Sequence, residues 1–131
     1  MKILDTDVCI EILRGNEKVV ERRREVDDDI ATTWITAAEL AYGAEKSRAS
    51  DRNLTLVTEF LGTLPILGLE LTSALEFGRC KARLERTGMR IADADLLIAA
   101  ITLANGASLV TGNRRHYERI ENLRIEDWIR E

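Results

Sequence analysis

An α/β fold with a central, mostly parallel sheet is predicted by three features of this 131-residue sequence. Short apolar and β-branched runs recur at intervals along the chain. Stretches with helical periodicity fill the gaps between them. The alternation of strands with helical segments implies right-handed crossovers and a sheet covered on both faces. The length fits one domain spanning 1–131, and 45% hydrophobic residues can supply its core.

The elements follow in order. Residues 2–5 (Lys-Ile-Leu-Asp) read as a short buried strand. Thr6 and Asp7 are good N-cap types, and Val8 to Leu13 start a helix that stops at Gly15. Asn16 to Val26 is a charged helix with Val19 and Val20 inward. Residues 30–35 (Ile-Ala-Thr-Thr-Trp-Ile) carry a strand signature. Helices are expected over Thr36–Lys46 and Asp51–Leu61. The only proline, Pro65, opens a short strand at 66–69. Thr72–Arg86 is a long amphipathic helix ended by Gly88. Asp95–Ala104 is an unusually apolar helix closed by Asn105-Gly106. Residues 107–111 form a strand, 114–119 one helical turn, and 123–125 a last strand.

In such sheets ligands bind beyond the carboxyl ends of the strands. Asp5 ends the first strand, and Thr111 to Asn113 end a later one. Glu39 lies one turn into the helix after the Trp34 strand, and Asp95 opens the most buried helix. The four residues Asp5, Glu39, Asp95 and Asn113 can therefore line one edge. Clustered carboxylates require a cation to neutralise them. Magnesium, or manganese, prefers oxygen ligands and keeps several waters, so one to three carboxylates suffice. Asp5, Glu39 and Asp95 are the candidate metal ligands. Such a cation can polarise a phosphoryl group and generate hydroxide without a protein nucleophile, in keeping with a chain whose only histidine is His116.

Each residue also has an ordinary structural role open to it. Asp5 can cap the first helix. Thr36 and Glu39 have capping-box spacing. Asp93 competes with Asp95; positions two apart on a helix diverge by about 200°, so only one faces a metal. Asp95 is taken as the ligand and Asp93 as a cap or a supporting residue. Asn113 follows Gly112, which is good turn chemistry. Thr6 and Thr111 can hydrogen-bond the acids. Trp34 and Tyr42 are read as core residues.

Net charge is −4, which excludes bulk polyanion binding and leaves RNA contact to a local basic face. Arg114, Arg115 and His116 lie beside the expected site and are candidate RNA contacts. The basic stretch 79–90 reads first as a solvated helix face. No run approaches the roughly 18 apolar residues of a membrane helix, and the N-terminus lacks a signal pattern, so a cytoplasmic protein is expected. Cys9 and Cys80 sit in apolar helical patterns and read as buried free thiols.

The segments Ile3-Leu-Asp-Thr-Asp-Val8, Thr36-Ala-Ala-Glu-Leu-Ala-Tyr-Gly-Ala-Glu-Lys-Ser47, Ile91-Ala-Asp-Ala-Asp-Leu-Leu-Ile-Ala-Ala100 and Leu109-Val-Thr-Gly-Asn113 resemble the motifs of PIN-domain ribonucleases. More narrowly they resemble VapC toxins, as does the ending from His116 to Trp128. The resemblance implies a PIN-like α/β/α sandwich. It implies a magnesium- or manganese-dependent endoribonuclease, neutralised by a cognate VapB-like antitoxin. Asp5, Glu39 and Asp95 match the family's three acids. Asn113 stands where some members carry a fourth acid, a departure that bears on a second metal position. The stretch Tyr42 to Ser47 resembles the subgroup that cuts the anticodon loop of initiator tRNA. A homodimer is expected, in higher order with antitoxin, through the helices near Asp51–Leu61 and Thr72–Leu84.

Two other classes are open. Asp5-Thr6-Asp7-Val8 also resembles the nucleophile motif of haloacid-dehalogenase phosphatases, but that scheme needs a late lysine, as does a response-regulator receiver. The lysines are Lys2, Lys18, Lys46 and Lys81. A PIN fold that only binds RNA or protein is the other alternative.

Overall fold

The computed structural model describes residues 1–131. Five strands alternate with seven helices: β1 (Lys2–Leu4), α1 (Thr6–Leu13), α2 (Glu17–Glu25), β2 (Ile30–Thr33), α3 (Trp34–Glu45), α4 (Ser50–Leu61), β3 (Ile66–Leu67), α5 (Leu71–Arg86), α6 (Asp93–Ala104), β4 (Ser108–Val110), α7 (Arg114–Tyr117) and β5 (Arg124–Glu126). The sheet order is β3-β2-β1-β4-β5 and every pairing is parallel.

Side-chain alternation along the central strands divides the core in two. Ile3 and Leu109 point into one layer, where they meet Cys80 and Leu84 of α5, Ile98 and Ile101 of α6, and Tyr117 of α7. Leu4 and Val110 point into the other, against Val8 and Cys9 of α1, Val19 of α2, Val57 and Phe60 of α4, and Trp128. Ile3, Leu4, Ile98, Ile101 and Leu109 are fully buried, each contributing about 1.5–3 kcal/mol through burial. Helix α3 serves both layers, with Ile35 against the first and Leu40 and Ala44 within the second. Both cysteines are buried and free.

The observed elements correct several sequence boundaries. The second strand ends at Thr33, not at residue 35, because the Thr33 hydroxyl accepts the Thr36 N–H at 3.1 Å and starts α3 at Trp34. This also removes the capping box expected of Thr36 and Glu39, since Glu39 now lies in the second helical turn. Trp34 and Tyr42 are not core: they are 58% and 66% exposed. The third strand is only two residues long. Helix α6 begins at Asp93, two residues early, with no side-chain cap at Ala92. In α1 the cap is Asp5 itself, whose Oδ1 accepts the Thr6 N–H at 2.8 Å.

Beyond β1 the chain steps outward to β2 and β3, then crosses back to place β4 and β5 on the other side. The carboxyl ends of β1 and β4 therefore flank the point where strand order reverses. Crevices open there in parallel α/β sheets.

Candidate active site

Asp5 follows the last residue of β1, and Thr111 the last residue of β4. The two strands are hydrogen-bonded neighbours, so these side chains meet although 106 residues separate them. The Thr111 hydroxyl donates to Asp5 Oδ2 at 2.8 Å. With Thr6 N–H on the other oxygen, the carboxylate is fixed on both sides. Asp5 is 6% exposed. Thr6 extends the network by donating its hydroxyl to Glu39 Oε1 at 2.6 Å, and its oxygen lies 3.0 Å from the Thr36 hydroxyl. Glu39 is half-buried and faces the site from α3.

Asp95 enters from the first turn of α6. One of its oxygens lies 3.0 Å from His116 Nε2. Its charge also raises the proton affinity of Asp5, which places the two carboxyls in one electrostatic neighbourhood. Asp93 does not join them. It is pulled outward to Lys81 at 3.0 Å, so it neither caps α6 nor supports the site. The angular divergence of alternate helix positions separates the two acids.

Asn113 stands at the rim. Its backbone N–H donates to the Thr111 hydroxyl at 3.0 Å, its side chain makes no cap, and it is exposed. Of the basic candidates, Arg114 is turned toward Glu131 at 3.3 Å and the Ile125 carbonyl at 3.4 Å. His116 is held by Asp95. Arg115 is exposed and makes no ion pair.

Three residues of the site were not apparent in the sequence. Asp7 Oδ2 accepts the Gly112 N–H at 2.8 Å, while its Oδ1 is buried without a partner. Gly112 is packed so closely that a Cβ would lie 2.7 Å from Ile129 Cδ1, 2.8 Å from Arg130 Nη1 and 2.9 Å from Asp7 Oδ2. Tyr117 is fully buried and its hydroxyl also has no partner. Burial, and then the charges of Asp5 and Asp95, push its ionisation far up. The side chain thus presents a neutral O–H beside both acids.

The electrostatics are strongly one-sided. Burial first, then the charge of Asp7, raises the Asp5 carboxyl from 3.8 to about 7, against the lowering effect of its two hydrogen bonds. Burial likewise raises Asp7. No lysine or arginine forms an ion pair with Asp5, Glu39 or Asp95, so His116 is their one potentially cationic partner. As the side chains stand, no three acidic, histidine or cysteine groups converge into a ready cation-binding cluster. The donors are nevertheless all-oxygen and under-neutralised. That chemistry fits a hydrated hard cation, for which one or two carboxylates suffice.

Comparison with protein-family models matches residues 2–123 to the PIN domain, the class that this parallel sheet and its acidic edge define. The tRNA(fMet)-specific endonuclease VapC of Salmonella typhimurium is 36% identical over 127 residues, covering 96% of each chain. Ribonuclease VapC2 of Haemophilus influenzae is 36% identical over 128 residues, covering 97% of each. The crystal structure of DNA-bound VapBC from Salmonella typhimurium superposes with a TM-score of 0.92 at 38% identity, over 97% of both chains. The chain belongs to the VapC ribonucleases of the PIN-domain family.

Proposed function

We propose that the chain is a divalent-cation-dependent endoribonuclease toxin whose target is tRNA and whose activity is held in check by an antitoxin. The observation that carries the metal dependence is Asp5. A carboxyl buried at the end of the central strand, among other acids and facing no lysine or arginine, becomes a stable anion when a cation binds. Asp5, Glu39 and Asp95 would hold magnesium or manganese. When bound, that cation supplies Lewis acidity toward a phosphodiester and lowers the pKa of an attacking water. Thr111 and Thr6 orient the Asp5 and Glu39 carboxylates. The Tyr117 hydroxyl stays protonated and offers a hydrogen-bond donor between Asp5 and Asp95. Asn113, at the rim, adds an uncharged oxygen.

The tRNA target rests on the relative from Salmonella named for tRNA(fMet). The antitoxin rests on the solved VapBC complexes. An apolar groove between α1, α3 and α4, with Leu13, Leu40, Leu56 and Val57 in its walls, runs up to Glu39. An antitoxin segment lying there covers a catalytic acid. Of the helices expected to form a dimer, α5 exposes Leu71 and Leu75, a face suited to a second copy. Leu56 of α4 belongs instead to the groove.

The test is cleavage of total RNA and purified initiator tRNA, with cut sites mapped, in EDTA, magnesium and manganese. Wild type should cut only with metal. Glu39→Gln should be inactive although its helix remains capped by Thr33. Metal-independent cleavage, or full activity in Glu39→Gln, would refute the assignment.

A further inference from the structure

Glu39 lies on a ridge between two surface features. One is the α1/α3/α4 groove. The other is a shallow depression on the α6 side, lined by Trp34, Ile35, Ala38, Glu39, Tyr42 and Ala94. Its residues are mainly apolar and include the two most exposed aromatic rings of the chain. Ala94 immediately precedes Asp95. A substrate whose phosphate reaches Asp5, Glu39 and Asp95 therefore has this depression as its adjoining surface.

We propose that Trp34 and Tyr42 form a stacking platform for bases of single-stranded RNA next to the scissile phosphate. Trp34, Ala38 and Tyr42 lie at i, i+4 and i+8 on one face of α3. Their backbone positions are thus about 12 Å apart along the axis, with the small side chain of Ala38 between them. Exposed aromatic rings separated by a small residue bind bases through their π-faces. Lys46 supplies the matching charge. Its Nζ lies 4.9 Å from the Tyr42 ring centroid, and it forms no ion pair with any carboxylate, so it can reach a phosphate of the stacked nucleotide.

A nucleotide leaves Glu39 open to the phosphate and gives Lys46 a counter-charge. The platform rests on the ribonuclease reading, and it divides the surface around Glu39: antitoxin on the α1/α4 side, RNA bases on the α6 side.

The chain contains its own probe. Of its two tryptophans, Trp128 is fully buried and Trp34 is exposed. In an Asp95→Asn background, which keeps RNA intact, a short single-stranded oligoribonucleotide should quench Trp34 emission. An abasic oligomer with the same phosphates should not, and Trp34→Phe supplies the Trp128 background. In the otherwise native chain, Trp34→Ala and Tyr42→Ala should each lower kcat/KM by about tenfold, whereas Trp34→Phe and Tyr42→Phe should restore most of it. Light scattering should be unchanged throughout. Equal quenching by the abasic oligomer, unaltered kcat/KM in both alanine variants, or an oligomer that dissociates when Trp34 is replaced would overturn the platform. Failure of wild type to cleave any RNA with magnesium or manganese would count against the ribonuclease reading instead, and the quenching comparison would still decide the platform.

Discussion

Replacing Asp5 with asparagine should stabilise the metal-free protein while abolishing its activity. In the unfolded chain Asp5 ionises near 3.8, and in the folded protein near 7. Between these values the folded protein retains a proton that the unfolded chain has lost. Stability from this group therefore falls as pH rises from about 4 to about 7 and is flat above. At about 1.4 kcal/mol per pH decade, the full cost is about 4 kcal/mol. Asparagine removes the charge and keeps the shape. Its carbonyl still accepts the Thr6 N–H, but the acceptor that took the Thr111 hydroxyl becomes an NH2 group. The worth of that bond to the charged carboxylate is already contained in the raised pKa. The gain at pH 8 is then up to about 4 kcal/mol, vanishing near pH 4. Urea unfolding of both proteins in EDTA from pH 4 to 8 measures it directly. Asp7 titrates in both proteins, so the difference between them isolates Asp5 and its coupling to Asp7. Magnesium should then narrow or invert the gap, because a bound ligand stabilises the folded state that binds it. A gap independent of pH, or a wild type more stable than the variant at pH 8, would refute the picture of an under-neutralised carboxyl.

Three further outcomes are expected. Asp95→Ala should lower cleavage by about 100-fold or more, whereas Asp93→Ala should keep normal turnover and lose at most about 1 kcal/mol, because its partner Lys81 is a surface cation; the reverse pattern in RNA cleavage would show that the wrong acid was assigned. Gly112→Ala should destabilise the protein by about 1–3 kcal/mol and lower activity through displacement of Thr111, and an unchanged melting temperature would mean that the clasp of Asp7, Ile129 and Arg130 yields freely. Asn113→Asp adds charge at the rim and should raise cation stoichiometry or steepen the dependence of cleavage on manganese, as read by calorimetry beside rate; identical titrations would leave Asn113 a turn residue.

The sheet and most helices were legible because their signals are local. The β-branched run at Ile30, the apolar helix from Leu96 and the glycine stops at Gly15 and Gly88 each act within a few residues. Acids at strand ends and helix starts were legible for the same reason, since parallel sheets gather such positions at one edge. The start of α3 was not. Trp34 and Ile35 extend a strand signature, and only the Thr33 cap, whose partner is three residues on, decides for helix. That cap turns Trp34 outward. Asp93 and Asp95 have equal claims as letters, and Lys81, 12 residues away in sequence, settles which faces out. Asp7, Gly112 and Tyr117 depend on tertiary contacts across most of the chain, which no short pattern records.

The hydrogen bond between Asp5 and Thr111 has a consequence in time. A ribosome delivers this chain from residue 1, so Asp5, the central strand and Glu39 emerge early and wait. Thr111, Gly112 and Tyr117, which complete the surroundings of Asp5, come from the last fifth or so of the sequence. Until β4 pairs with β1, Asp5 lacks one side of its seat and the crevice lacks a wall. The acidic crevice is therefore among the last parts of the molecule to exist. For a ribonuclease, that order delays activity until β4 has joined the sheet beside β1.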